Sequence, residues 1–271
     1  MANRAKIIAE IGWNHMGDMN LAKKMIDSAK ECGADYAKFQ TWSVKNLKLG
    51  PWDQDGRREI YEKAELTIDK HKELKSYCDN VGIKFLTSVF NKNDIPMIKE
   101  LGCDEIKIPS TEAPNYDLLK ECLKIFSHVY ISTGGMTELE SWSIKGVLNK
   151  YDRDSFTVLH CVSLYPCPIE KANLTRMHYL SDKFGFNFGF SDHTQGTWAA
   201  CAAIAKDAEV IEKHFTIDNN LPGRDNKFAC TPVELKEICE FRDVYAKMVS
   251  DYRPCRYDEE IGIEEYRGRW G

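Results

Sequence analysis

The sequence predicts a single (β/α)8 barrel. Eight apolar runs of strand length alternate with eight runs of helical composition along 271 residues. Several strand runs are apolar without alternation, as parallel strands buried on both faces are. No G-x-G-x-x-G follows the first strand, which weighs against the doubly wound sheet, the main competitor. The barrel is expected over 1–249, with a C-terminal tail over 250–271.

Taken in order, the expected strands are 6–11, 36–40, 83–88, 105–108, 129–132, 157–161, 187–190 and 210–215. The expected helices are 20–32, 67–80, 93–101, 116–126, 138–149, 174–183, 198–206 and 232–247. Gly33 and Gly102 fall just after helical runs, where glycine closes helices. Thr231-Pro232 reads as an N-cap with proline at the first helical position. Two stretches stand outside the eightfold count. A long polar insertion, 43–66, follows the second strand on the face where such barrels keep their sites, as a lid or as a decorative excursion. The tail is too short for a domain and is expected to pack on the barrel or on a partner chain.

Composition narrows the function. The chain is 43% apolar and 29% charged, ample for one large core. A net charge of −5 with no basic stripe excludes nucleic acid as an expected partner. No signal-like segment and no apolar run of spanning length is seen, so no membrane partner is expected. Ten scattered cysteines without C-x-x-C read as reduced thiols in a cytoplasmic protein.

The chemistry is concentrated at 186–215. Two apolar strands there flank the helical run W-A-A-C-A-A-I-A-K, and such a crossover brings consecutive parallel strands side by side. His193 and His214 therefore project from the same end of neighbouring strands. Either histidine alone reads more readily as a hydrogen-bonded core residue; paired at matching strand ends, they suit a divalent transition metal. The C-terminal ends of all eight strands form a polar ring. It runs through Glu10, Asn14, His15, Lys38, Gln40, Thr87, Ser88, Lys107, Ser110, Glu112, Ser132, Thr133, His160, Ser163, Tyr165, Ser191, Asp192, Lys213 and Asp225. Lys38 and Lys107 sit among apolar residues, and a charge there is costly without a partner. With the Ser and Thr hydroxyls they make a phosphate cradle; taken singly, each fits a structural ion pair equally well. Glu10 and Glu112 are carboxylates available for acid/base work. The residues point to a metal-dependent barrel enzyme acting on a small phosphorylated anion.

Matching stretches then run through the barrel in order: A-E-I-G-W-N-H-M-G-D (9–18), G-A-D-Y-A-K-F-Q-T (33–41), F-L-T-S-V-F (85–90), K-I-P-S-T-E-A-P-N-Y (107–116), S-T-G-G-M (132–136), L-H-C-V-S-L-Y-P (159–166), G-F-S-D-H-T-Q-G (189–196), V-I-E-K-H-F-T-I-D (210–218) and L-P-G-R-D (221–225). Together they resemble the sialic acid synthase family, which includes legionaminate and pseudaminate synthases. The resemblance implies condensation of phosphoenolpyruvate with an N-acetylated aldose, such as N-acetylmannosamine, and release of phosphate. It implies manganese or magnesium on His193 and His214. It implies phosphoenolpyruvate contacts at Lys38, Ser88, Lys107, Ser110, Ser132 and Ser191, and sugar contacts at Gln40, Tyr165 and Asp225. Glu10 and Glu112 fall on its active-site glutamates.

Family members carry a further antifreeze-like domain whose arginine reaches the partner subunit's sugar; the chain is expected to lack that domain. A homodimer is implied, or else a separate capping chain. Trp13, Met16, Ser88, Ser163, Arg224 and Asn226 depart from the family pattern, and all of these are expected toward the sugar side. Arg224, or a tail arginine (Arg253, Arg256, Arg267, Arg269), is expected to replace the capping arginine. Two rivals stay open. One is a Schiff-base aldolase or lyase using Lys107 or Lys38. The other is a barrel that binds without catalysis.

Overall fold

The strands are β1 (Lys6–Gly12), β2 (Tyr36–Thr41), β3 (Lys84–Val89), β4 (Glu105–Ile108), β5 (His128–Ser132), β6 (Phe156–Cys161), β7 (Phe188–Asp192) and β8 (Val210–His214). In a computed structural model, which describes residues 4–250 and 256–270, they close in chain order into a barrel. Every neighbouring pair is parallel, and β8 pairs with β1. The predicted fold is the observed one.

The helices are α1 (Met19–Glu31), α2 (Arg57–Ala64), α3 (Ile68–Val81), α4 (Ile95–Glu100), α5 (Tyr116–Ile125), α6 (Glu138–Leu148), α7 (Thr175–Phe184), α8 (Trp198–Ala205) and α9 (Pro232–Met248). Local chemistry sets their ends. Asp18 accepts from Asn20 N at 2.8 Å to start α1, and Glu234 accepts from Thr231 N at 2.7 Å to start α9. Gly33 and Gly102 adopt positive φ after α1 and α4, as expected. The expected helix at 93–101 divides into a single turn, Lys92–Asp94, and α4.

Alternation along the strands fixes two stacked layers inside the barrel. Ile8, Tyr36, Leu86, Tyr130, Leu159 and Val210 form one buried apolar cluster, drawn from β1, β2, β3, β5, β6 and β8. Full burial of such side chains contributes about 1.5–3 kcal/mol each. Two residues further along the same strands stand Glu10, Lys38, Ser88, Ser132, Cys161 and Glu212. All of these are buried, and all lie at the C-terminal end. An apolar floor thus carries a polar layer. At the opposite end the Tyr36 and Tyr130 hydroxyls lie 3.2 Å apart, with the Lys6 ammonium 3.2 Å from Tyr130.

The insertion after β2 contains two single turns, Val44–Asn46 and Pro51–Asp53, followed by α2. Its residues line a cavity at the C-terminal face, so it is a wall of that cavity and not an excursion. In the tail, residues 256–270 are exposed and include a short helix, Asp258–Tyr266. Arg253 lies outside the described residues. No helix among the described residues is long and apolar enough to cross a membrane.

Candidate active site

The C-terminal ends of the strands enclose a small cavity of about 60 Å3, continuous in its lining with a larger outer one of about 520 Å3. Gln40, Pro109, Ser110, Tyr165 and His214 belong to both. Of the residues singled out in the sequence, Glu10, Lys38, Gln40, Ser88, Lys107, Ser110, Ser132, Tyr165, Ser191, His193 and His214 all line the inner cavity. Asp225 lines the outer one. Glu112 lines neither: it is half-buried in the loop after β4, and its carboxylate accepts from Asn115 Nδ2 at 3.4 Å.

The inner cavity is organised by charge. Lys38 Nζ lies 2.6 Å from Glu10 Oε2 and 3.0 Å from Glu212 Oε1, and donates to Ser88 Oγ at 2.8 Å. Lys107 Nζ lies 3.3 Å from the other oxygen of Glu212. Glu212 therefore bridges both ammonium groups. Burial works against its charge, but Lys107 and Lys38 hold it well below the usual carboxylate range. Glu10 behaves oppositely. Burial raises it and Lys38 only partly offsets this, so its pKa is pushed up to about 7. Burial also pushes the Lys107 ammonium down, against the pull of Glu212.

Hydrogen-bond donors surround the lysines. Gly134 N donates to Ser110 Oγ at 2.9 Å, and Ser132 Oγ is buried without a partner among the described residues. A side chain at position 134 would collide with Ser163 Oγ at 2.2 Å and Cys161 Sγ at 2.8 Å, so this close approach requires glycine. Gly12, at φ +54 in the bulge of β1, holds the chain against the Glu10 carboxylate and the Gln40 amide in the same way. Gln40 Nε2 donates to Glu10 Oε1 at 2.6 Å.

The two imidazoles meet as their strands require, with ring centroids 5.5 Å apart. Tyr165 flanks both, at 4.1 Å from His193 and 5.9 Å from His214. His193 Nδ1 lies 2.8 Å from Val162 O. A carbonyl only accepts, so Nδ1 carries a proton and Nε2 is the ring nitrogen left to ligate. His214 Nδ1 is buried without a hydrogen-bond partner, 3.8 Å from Asp225 Oδ2. Burial and the neighbouring His193 hold His214 well below the ordinary range, in its neutral, ligating form. These features fit a cation held by two imidazoles. Among the described residues no group of three or more His, Cys, Asp or Glu side chains is arranged to hold one.

Several members of the expected ring face elsewhere. Lys213 Nζ pairs with Asp192 Oδ2 at 2.6 Å and donates to Thr194 O at 2.6 Å. On β8, Glu212 and His214 face the cavity, so Lys213 between them must face the opposite way. His160 stacks on Phe190, with its Nε2 2.8 Å from Ala172 O, and Thr87 bonds Thr41. These are structural contacts. The sequence reading missed Glu212 and Cys161 in the inner cavity. It also missed Trp42, Arg57, Tyr61 and Asp94 in the outer one, and Trp13 as a wall residue there. Trp13 stacks on Tyr61 at 4.9 Å, and its indole donates to Asp225 Oδ2.

Comparison with known proteins follows from this geometry. The model of the NeuB family matches residues 25–252. An N,N'-diacetyllegionaminic acid synthase of Campylobacter jejuni is 37% identical, over 96% of this chain and 82% of its own length. The N-acetylneuraminate-9-phosphate synthase of Mus musculus is 33% identical, over 86% of this chain and 67% of its own. Among solved structures, an N-acetylneuraminic acid synthetase from Leptospira borgpetersenii in complex with citrate superposes with a TM-score of 0.88 at 31% identity. That match covers 98% of this chain and 92% of the other.

Proposed function

The chain belongs to the NeuB family, and we propose that it condenses phosphoenolpyruvate with an N-acetylated sugar aldehyde, giving a nonulosonic acid and phosphate. One observation carries this reading: a pair of lysines bridged by Glu212 and two converging imidazoles line one inner cavity, which shares lining residues with a larger outer one. Lys38 and Lys107 hold the phosphate and carboxylate of phosphoenolpyruvate, with Ser88, Ser110, Ser132, Ser191 and the Gly134 N–H around them. Gln40, Tyr165 and Asp225 orient the sugar. Carbon 3 of phosphoenolpyruvate bonds to the aldehyde carbon, whose C=O π pair moves onto the carbonyl oxygen, and that oxygen takes up a proton from solvent to become a hydroxyl. Water adds to the electron-poor carbon 2, and Glu10 takes its proton, a task suited to a carboxylate with a pKa near neutrality. The resulting tetrahedral centre collapses: the carbon 2 hydroxyl gives up its proton and re-forms a carbonyl as the bond to phosphate breaks and phosphate leaves.

His193 and His214 are the residues that would hold a divalent cation, manganese or magnesium, which when bound supplies Lewis-acid polarisation of the aldehyde carbonyl. The converging imidazoles support this reading over a Schiff-base lyase, which has no use for a cation site. The test is phosphate release from phosphoenolpyruvate with manganese across a panel of N-acetylated hexoses. Release with one acceptor is expected, and silence with every acceptor would overturn the proposal.

The charge pattern also fixes a pH dependence. Glu10 has its pKa pushed up to about 7. Below that it is neutral and leaves the Lys38 charge to the incoming anion. Above it, the carboxylate competes for Lys38. Affinity for phosphoenolpyruvate therefore falls as pH rises through neutrality. Titration calorimetry on Glu10→Gln should lack that component; a wild-type and variant pair with the same pH profile would refute the assignment.

A further inference from the structure

Asp225 lies in a loop and not on a strand. Yet its carboxylate is buried in the wall of the outer cavity, 3.8 Å from Nδ1 of His214, which lines both cavities. A carboxylate on a loop keeps one position only if its surroundings impose it. Two ties act on this one. Its backbone is stitched to the chain beyond β1: Asn226 Nδ2 donates to Asn14 O at 3.0 Å and to Pro222 O at 2.7 Å, and Asn219 Nδ2 donates to Asn226 O at 2.7 Å. The carboxylate itself accepts from the Trp13 indole, and no other hydrogen bond reaches it among the described residues.

The indole is held in turn. Its ring stacks on Tyr61 of α2 at 4.9 Å and 14°, and Trp42, just past β2, meets both rings edge-on at 6.1 and 6.0 Å. Trp13 follows Gly12 at the bulge of β1, the strand that carries Glu10. One side chain thus joins the segments after β1, β2 and β8. An indole turns about only two side-chain bonds and has a single donor, so a stack along one face and a bond at Nε1 leave it little freedom.

We infer that Trp13 is a positioning residue: its N–H fixes the Asp225 carboxylate where that group meets the acceptor. A phenylalanine would keep the ring and lose the hold. The inference rests on the reading of Asp225 as a sugar contact, and goes beyond it by assigning what keeps that contact in place.

Trp13→Phe is measured in the full chain with manganese, phosphoenolpyruvate and the N-acetylated hexoses of the panel above, N-acetylmannosamine first. KM for the accepted hexose is expected to rise about tenfold, the scale of one hydrogen bond to a charged group, while KM for phosphoenolpyruvate stays within about twofold. In an Asp225→Ala background the same substitution should add nothing, because the group it acts through is gone. An unchanged hexose KM, an equal rise in both KM values, or a penalty that persists beside Asp225→Ala overturns the inference. A second measurement needs no turnover. In protein carrying isotopically labelled tryptophan, the Trp13 indole N–H resonance is assigned by its loss in Trp13→Phe. That resonance should move in Asp225→Asn, and one that stays in place overturns the inference whatever the kinetics. The two readings fail separately: a resonance that moves, with no phosphate release from any hexose, sinks only the synthase.

Discussion

Lys38→Met lowers kcat/KM for phosphoenolpyruvate by about a thousandfold, since one lost donor to developing charge in a dry site costs about 3–4 kcal/mol. Two effects must be separated, because Lys38 also neutralises Glu10 and Glu212 at 2.6 and 3.0 Å. Removing one partner of a buried ion pair destabilises a protein by about 3–5 kcal/mol. Unfolding by denaturant should register that loss in the single variant. In the double variant Lys38→Met, Glu10→Gln, the carboxylate left without Lys38 is gone while Glu212 keeps Lys107 at 3.3 Å, and stability should largely return. Affinity for phosphoenolpyruvate should not return, because the ammonium that meets the substrate is still missing. Recovery of that affinity in the double variant would reduce Lys38 to a structural counterion.

His214→Ala abolishes manganese-dependent phosphate release and weakens manganese binding by more than about a hundredfold, the scale reached by losing even an outer-shell partner of a ligand. The imidazole is buried, neutral and without a hydrogen-bond partner at Nδ1, so its loss leaves a gap and not a stranded charge. The fold should tolerate it. His193→Ala should act alike, since its Nδ1 is committed to Val162 O and only Nε2 is left to ligate. Calorimetric titration with manganese reads affinity directly. Activity that persists in a chelator and in both variants would show that the paired imidazoles hold no cation.

Much of this was legible in the sequence. Unbroken apolar strands and regular alternation with helices predicted the closed barrel, and the boundaries moved by only a residue or two. Lys38 and Lys107 were conspicuous because a charge in a buried strand has to reach a cavity or a partner. They do both here. Glu212 is hidden by its neighbours: in V-I-E-K-H the lysine and histidine are the more conspicuous groups. A strict period of two separates them, putting 212 and 214 on one face and 213 on the other. The same alternation turns Asp192 away from the cavity, since β7 runs through it. The outer wall was out of reach. Trp13, Trp42 and Tyr61 carry no shared periodicity, and α2 is short and largely polar. What joins them is the stacking of Tyr61 on Trp13, a contact between distant segments. Glu112 looked equivalent to Glu10 by residue type, but only Glu10 lies on a strand that points into the cavity.

The bridging carboxylate of Glu212 has a consequence for turnover. It occupies both ammonium groups. On the proposed function, each incoming phosphate would have to displace this resident competitor and each departing one would be replaced by it. The same group would then assist product release and disfavour tight inhibition by free phosphate from within the pocket.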